Sequence, residues 1–212
     1  MPFPSPFSTP DETEGESTFD EWDAFVPEHL PEPGPFLAGH DVLTGGAHVA
    51  FRATTREVFE ARGVYDATFG YNLARLDLDS RHPDAGYRYA VDRDDPSVLR
   101  AEFTPTTAFC PQGDALAKGS FRAWNGLADE HGYDLVRVRV APSHDESERI
   151  NSALARLEDA CRDTGEVDNA PCWDTGEVDN APCRDTGEVG NDPGARSRPD
   201  DAEGDGGGAT PF

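Results

Sequence analysis

Leu99-Arg100-Ala101-Glu102-Phe103-Thr104-Pro105-Thr106-Thr107-Ala108-Phe109-Cys110-Pro111 reads as a strand that enters a polar turn and hands over to a helix. Val98, Leu99, Ala101 and Phe103 supply the β-branched and aromatic character of the strand. Pro105 ends it, because proline cannot donate to a ladder. Pro111 suits the first turn of a helix, where a missing N–H costs nothing. Cys110 is then expected at or just before a helix N-terminus, whose partial positive charge lowers a thiol pKa and favours thiolate. The competing reading makes Cys110 a small buried hydrophobe.

Outward from this turn the pattern alternates between helix and strand. Val49, Ala50, Ala53, Val58 and Phe59 recur at helical spacing over 46–62, with Thr54 and Thr55 as candidate caps and Gly63 as the stop. Leu76 and Leu78 are expected on one face of a strand, with Asp77 and Asp79 facing water. Tyr87, Tyr89 and Val91 predict a second strand. After the cysteine turn, Leu116, Phe121, Trp124 and Leu127 predict a helix over 114–128, which His131-Gly132 closes. Leu135, Val136, Val138 and Val140 predict a strand with Arg137 and Arg139 on its other side. A last helix over 145–160 takes Ser143 or Asp145 as cap and turns Ile150, Leu154 and Leu157 inward. The order implies an α+β fold: a two-layer sandwich, its small mixed or antiparallel sheet covered by two or three helices.

Charge sets the domain boundaries. The 212 residues carry a net charge of -24, unevenly spread. Residues 1–40 hold nine acids and no Lys or Arg, and 161–212 hold thirteen acids against four Arg. The stretch 41–160 is nearly balanced, with twenty acids and fourteen basic residues. One folded domain at 41–160 is therefore expected between two acidic flanks. The first flank is Pro-rich and either disordered or loosely docked through Phe19–Val26. In the second, Cys161–Pro171 recurs at Cys172–Pro182 and, less closely, at Cys183–Pro193. Gly and Pro in every copy forbid a helix, and one Val per copy is too little for a solenoid, so a disordered tail is expected. Metal or redox capture by Cys161, Cys172 and Cys183 is the competing reading.

Lys118 is the only lysine, and the pI is about 4.3. Such a surface tolerates molar salt, where the Debye length shrinks to roughly 3 Å. No basic cluster offers phosphate neutralisation, so nucleic acid is not an expected partner. No apolar run approaches the ~20 residues of a membrane span, and the first ten residues lack the regions of a signal peptide. A reducing cytoplasm is expected, and with it no structural disulfides. No catalytic set stands out: the histidines at 29, 40, 48, 82, 131 and 144 show no ligand pairing and read as loop or surface residues.

Two segments together carry a family resemblance. Val64–Leu78 is similar to a V-x-D-P-E-x-G-x-N-[IV]-x-x-L-G-L pattern at Asp66, Gly70, Asn72, Leu76 and Leu78. Phe103–Pro111 is similar to a hydrophobic-T-x-T-x-x-x-C-P turn, while the strand 136–140 and Glu148–Asn151 fit a later strand and a closing I-[ND] region. Over residues 46–158 the chain thus resembles metal–sulfur cluster assembly factors of the SufT and PaaD type, in a diverged form of haloarchaeal-like composition. Ala67 and Thr68 stand where the pattern has proline and glutamate, and Asp77 where it has glycine.

The resemblance implies a non-enzymatic accessory role in assembling or delivering iron–sulfur clusters. Cys110 would be the candidate ligand for transient iron or a cluster, Asp66 the remaining acid, Thr106 and Thr107 the turn donors, and Pro111 the helix start. One thiolate cannot fill a cluster's coordination shell, so assembly machinery, a client apoprotein or a second copy would complete it. Two other readings compete: a degenerate interaction scaffold with an inert Cys110, and an enzyme with a cysteine nucleophile.

Overall fold

Val98–Thr104 lies inside a four-stranded mixed sheet in the computed structural model, which describes residues 18–167. In chain order the elements are β1 (Asp41–Val42), α1 (Gly45–Arg62), β2 (Tyr65–Asp66), β3 (Tyr71–Asn72), β4 (Gly86–Val91), β5 (Val98–Thr104), α2 (Gly113–Asn125), β6 (Leu135–Val140) and α3 (Ser147–Thr164). Short 3-10 turns occupy Pro27–His29, Leu73–Leu78 and Ala128–Glu130. The sheet order is β1-β4-β5-β6, with β5 antiparallel to β4 and parallel to β6; β2 and β3 form a separate hairpin. A parallel pair needs a crossover, and α2 supplies it. The chain is an α+β fold.

One sheet face is the core. Tyr87, Tyr89, Leu99, Ala101, Phe103, Val136, Val138 and Val140 meet α1 and α2 through Phe51, Phe59, Leu116, Phe121 and Trp124, all buried. Gly63, at φ 68°, stops α1 in the left-handed conformation that glycine adopts freely. α3 lies along the β6 edge, where the Asn151 amide accepts from Val140 N–H at 2.7 Å and donates to Val140 O at 2.9 Å. An edge that would otherwise be open is thereby closed.

The opposite face carries Arg88, Arg100, Glu102, Arg137 and Arg139, and the N-terminal flank covers it. Leu30 and Leu37 are buried, and Arg100 and Arg139 stack near the Phe36 ring at 4.9 and 5.3 Å. Phe19 pairs with Asp79 in a bridge and meets Tyr71 edge-on. Residues 18–40 are thus docked, apolar side chains having found the nearest core.

Several local expectations are overturned. Leu73–Leu78 is a 3-10 turn and not a strand, started by Asn72, whose side chain accepts from Ala74 N–H at 3.0 Å. Asp77 and Asp79 are buried rather than facing water, because each is paired. Asp77 Oδ1 takes the Tyr87 N–H at 2.6 Å, and Asp79 takes the Arg81 guanidinium and the Tyr71 hydroxyl. Burial works against the Asp79 carboxylate, but those bonds outweigh it and hold its pKa below the usual value. Thr54 and Thr55 sit inside α1 and cap nothing. α2 ends at Asn125, before His131-Gly132. No side chain caps α3, whose first residue is Ser147. α3 also continues to Thr164, past the expected boundary at 160, and Cys161 and Val167 pack against the core. The repeats from Asp168 onward, with Cys172 and Cys183, lie outside the described residues.

Candidate thiol turn

The turn between β5 and α2 places Cys110 in the lining of a cleft of about 320 Å³. Ala108, Pro111 and Ile150 line it with the charged Asp114, Glu146 and Arg149. Cys110 is half-buried, while the neighbouring Phe109 ring is 79 % exposed. Pro111 is not in the first turn of α2: Gln112 is the N-cap and Gly113 the first helical residue, so Pro111 stiffens the approach instead.

Two contacts fix the turn from within, and two reach it from the loop before α3, one of them the Asp145 N–H donated to Ala108 O at 3.0 Å. Cys110 N–H donates to Thr107 O at 3.3 Å, and Gly113 N–H to Cys110 O at 3.1 Å. His144, buried in the loop before α3, reaches Cys110 O through Nε2 at 3.1 Å. Its Nδ1 accepts from Glu146 N–H at 3.1 Å, which leaves Nε2 as the nitrogen that donates to Cys110 O. His144 therefore positions the turn and has no nitrogen left for a metal. His144 is a loop residue as expected, though a buried one, whereas the expectation of a loop or surface histidine fails at His48, which lies in α1 fully buried beside Asp77 with Nε2 and Oδ2 3.3 Å apart.

Asp66 is brought to the cysteine, and Gln112 shows how. Its side chain accepts from Ala67 N–H at 3.0 Å and donates to Thr68 Oγ1 at 2.7 Å, tying the β2–β3 hairpin to the start of α2. Sequence reading missed Gln112 and His144, since neither has a local pattern that announces a long-range contact. The Asp66 carboxylate is already used: Oδ1 accepts from Thr68 N–H at 2.7 Å and from Phe69 N–H at 3.1 Å. It shapes its own turn, as aspartate does in Asx turns.

The electrostatics reverse the expected sign. Half-burial, reinforced by the negative charge of Asp66, pushes the Cys110 thiol above its ordinary pKa. The backbone N–H groups of Gln112 and Gly113 favour thiolate but do not win. The hydroxyls of Thr106 and Thr107 are not among the causes of this shift; Thr107 is exposed and Thr106 half-buried. Alkylation of Cys110 by iodoacetamide should consequently accelerate only on the alkaline side of an ordinary thiol. Asp66→Asn keeps an oxygen for the two amides while removing the charge, and should speed alkylation at pH 8 roughly threefold. Peptide-resolved mass spectrometry of the intact chain reads this; an unchanged or slower rate would show that Asp66 does not act on the sulfur.

Among the described residues no group of three or more His, Cys, Asp or Glu side chains could hold a metal ion. No described helix is long and apolar enough to cross a membrane. The fold and site define a small α+β domain that presents a single thiol from a strand-to-helix turn. The chain belongs to the family described as domain of unknown function DUF7998, which matches residues 17–168. No curated protein and no solved structure matches it.

Proposed function

We propose that this domain is a non-catalytic accessory factor that receives iron or an iron–sulfur cluster as cargo, through Cys110, and passes it to a client in a reducing cytoplasm. The supporting observation is the placement of Cys110: a free, half-buried thiol that lines a cleft at a strand-to-helix turn, where the Gln112 and Gly113 backbone amides favour its thiolate. Soft thiolate suits iron, and bound metal displaces the proton that a raised pKa retains. His144 is committed to the cysteine turn and Asp66 Oδ1 to the β2–β3 turn, so among the described residues this site offers Cys110 as its ligand, and a partner or second copy completes the shell. The exposed Phe109 ring beside the thiol provides an apolar contact for that partner.

The test is anaerobic incubation of the full chain with ferrous iron and sulfide, followed by desalting and assay of both. Cys110→Ala is expected to lower retained iron at least tenfold, whereas replacing Cys161, Cys172 and Cys183 together by serine leaves it unchanged. Equal retention by Cys110→Ala and the parent, or none by either, would overturn the proposal. The raised thiol pKa favours a second reading, an interaction scaffold with an inert cysteine. That reading requires both no iron retention and alkylation no faster than that of a buried thiol.

A further inference from the structure

The cysteine turn holds a second side chain outward. Ala108 and Phe109 are the central residues of a turn that Cys110 N–H closes onto Thr107 O at 3.3 Å. Asp145 N–H clamps it at Ala108 O at 3.0 Å, and Gly113 N–H and His144 Nε2 clamp it at Cys110 O, each at 3.1 Å. Pro105 and Pro111 restrict the chain on either side. The backbone at Phe109 is thus fixed, and its ring stands 79 % exposed. Among the described residues the other exposed large apolar side chain is Tyr65, at 39 %, whose hydroxyl is bonded to Glu60. A ring shown on a rigid backbone loses little entropy on docking, and buried aromatic anchors dominate protein interfaces.

The surroundings set the sign of what docks. Of the residues lining the adjoining cleft, Asp114, Asp145 and Glu146 are acidic, and Arg149 is the one Lys or Arg. Arg149 is already held by Glu146 at 2.5 Å and by Asp114 at 3.4 Å. Asp145 is exposed and has no ion pair among the described residues. Lys or Arg groups flanking an apolar side chain match such a face. A second copy does not supply them: a two-fold contact here would set one excess of carboxylates against the same excess. Residues 1–40, with nine acids and no Lys or Arg, have the same sign.

We propose that the Phe109 turn and its cleft dock a basic loop of a different protein, which places an apolar side chain in the cleft and Lys or Arg groups against Asp145 and Glu146. This rests on reading Cys110 as a ligand completed from outside, and it names the chemistry of the partner that completes it.

The probe is a fluorescein-labelled cyclic peptide of alternating arginine and leucine, titrated with the full chain without iron and read by anisotropy. It is expected to bind the parent, to bind Phe109→Ala and Asp145→Arg at least tenfold more weakly, and not to bind once its arginines are replaced by glutamates. Both side chains are exposed, so circular dichroism should match the parent. Glu130→Arg makes the same charge change beyond the far end of α2 and should bind as the parent does. Equal weakening in Glu130→Arg would reveal bulk attraction to an acidic chain and overturn the site. Absent binding, or binding that ignores Phe109→Ala, overturns it too. A parent dimer in light scattering that Phe109→Ala dissolves would make a second copy the occupant instead. The peptide carries no thiol and iron is absent, so a failure here leaves the iron-retention result at Cys110 standing, and the reverse also holds.

Discussion

Replacing Glu158 by alanine is expected to lower the unfolding free energy by about 3–5 kcal/mol, the cost of removing one partner from a buried ionic cluster. Glu158 is 2 % exposed on α3. Arg137 Nε lies 2.7 Å from Oε1, Arg139 Nη2 2.9 Å from Oε2 and Arg162 Nη1 3.1 Å from Oε1. The carboxylate therefore joins α3 to the Arg-bearing face of β6. Burial lowers the Arg137 pKa, and without Glu158 that guanidinium keeps only a distant carboxylate, Asp92 at 3.9 Å. Most of the loss is the stranded cation rather than the intrinsic worth of the pair. Chemical denaturation of the full chain at fixed high salt measures it; a loss below about 1 kcal/mol would place the cluster with ordinary surface ion pairs.

Trp124→Ala is expected to cost a similar amount, roughly 3–5 kcal/mol, by a different mechanism. The indole is fully buried, with ring centroids 4.8 Å from Phe59, 5.1 Å from Tyr87, 6.1 Å from Phe51 and 6.2 Å from Tyr89. It joins both core helices to the sheet and donates Nε1–H to Thr55 Oγ1 at 3.3 Å. Truncation leaves a cavity lined by rings too rigid to collapse into it, and exposes the Thr55 hydroxyl to an apolar void. Trp124→Phe should recover about half of the loss by refilling volume. The loss from Glu158→Ala should change with salt and that from Trp124→Ala should not, so denaturation at two salt concentrations separates the mechanisms.

The readings that held were those in which neighbours in the chain decide. Pro105 and the run Val98–Phe103 made β5 legible, and Leu116, Phe121 and Trp124 made α2 legible, because period and proline geometry act within a few residues. The arginines of β6 were correctly set opposite its valines. What that polar face rests on was not legible: Gly34 and Glu102 are 68 positions apart, and nothing near either announces the other. Asp77 failed for the same reason. A Leu-Asp-Leu-Asp alternation says water, until Tyr87 N–H on another element claims the carboxylate.

The candidate site divides in the same way. The sequence by itself determined that a cysteine sits in a strand-to-helix turn followed by proline, since local backbone sterics and missing donors settle such a turn. Only the tertiary structure decided the state of that cysteine. The charge of Asp66 arrives from 44 positions earlier, tied in by Gln112, and the burial comes with the loop that carries His144. A thiol's ionisation responds to the dielectric and charges around it, whatever part of the chain supplies them. Packing fixes both, and periodicity does not encode them.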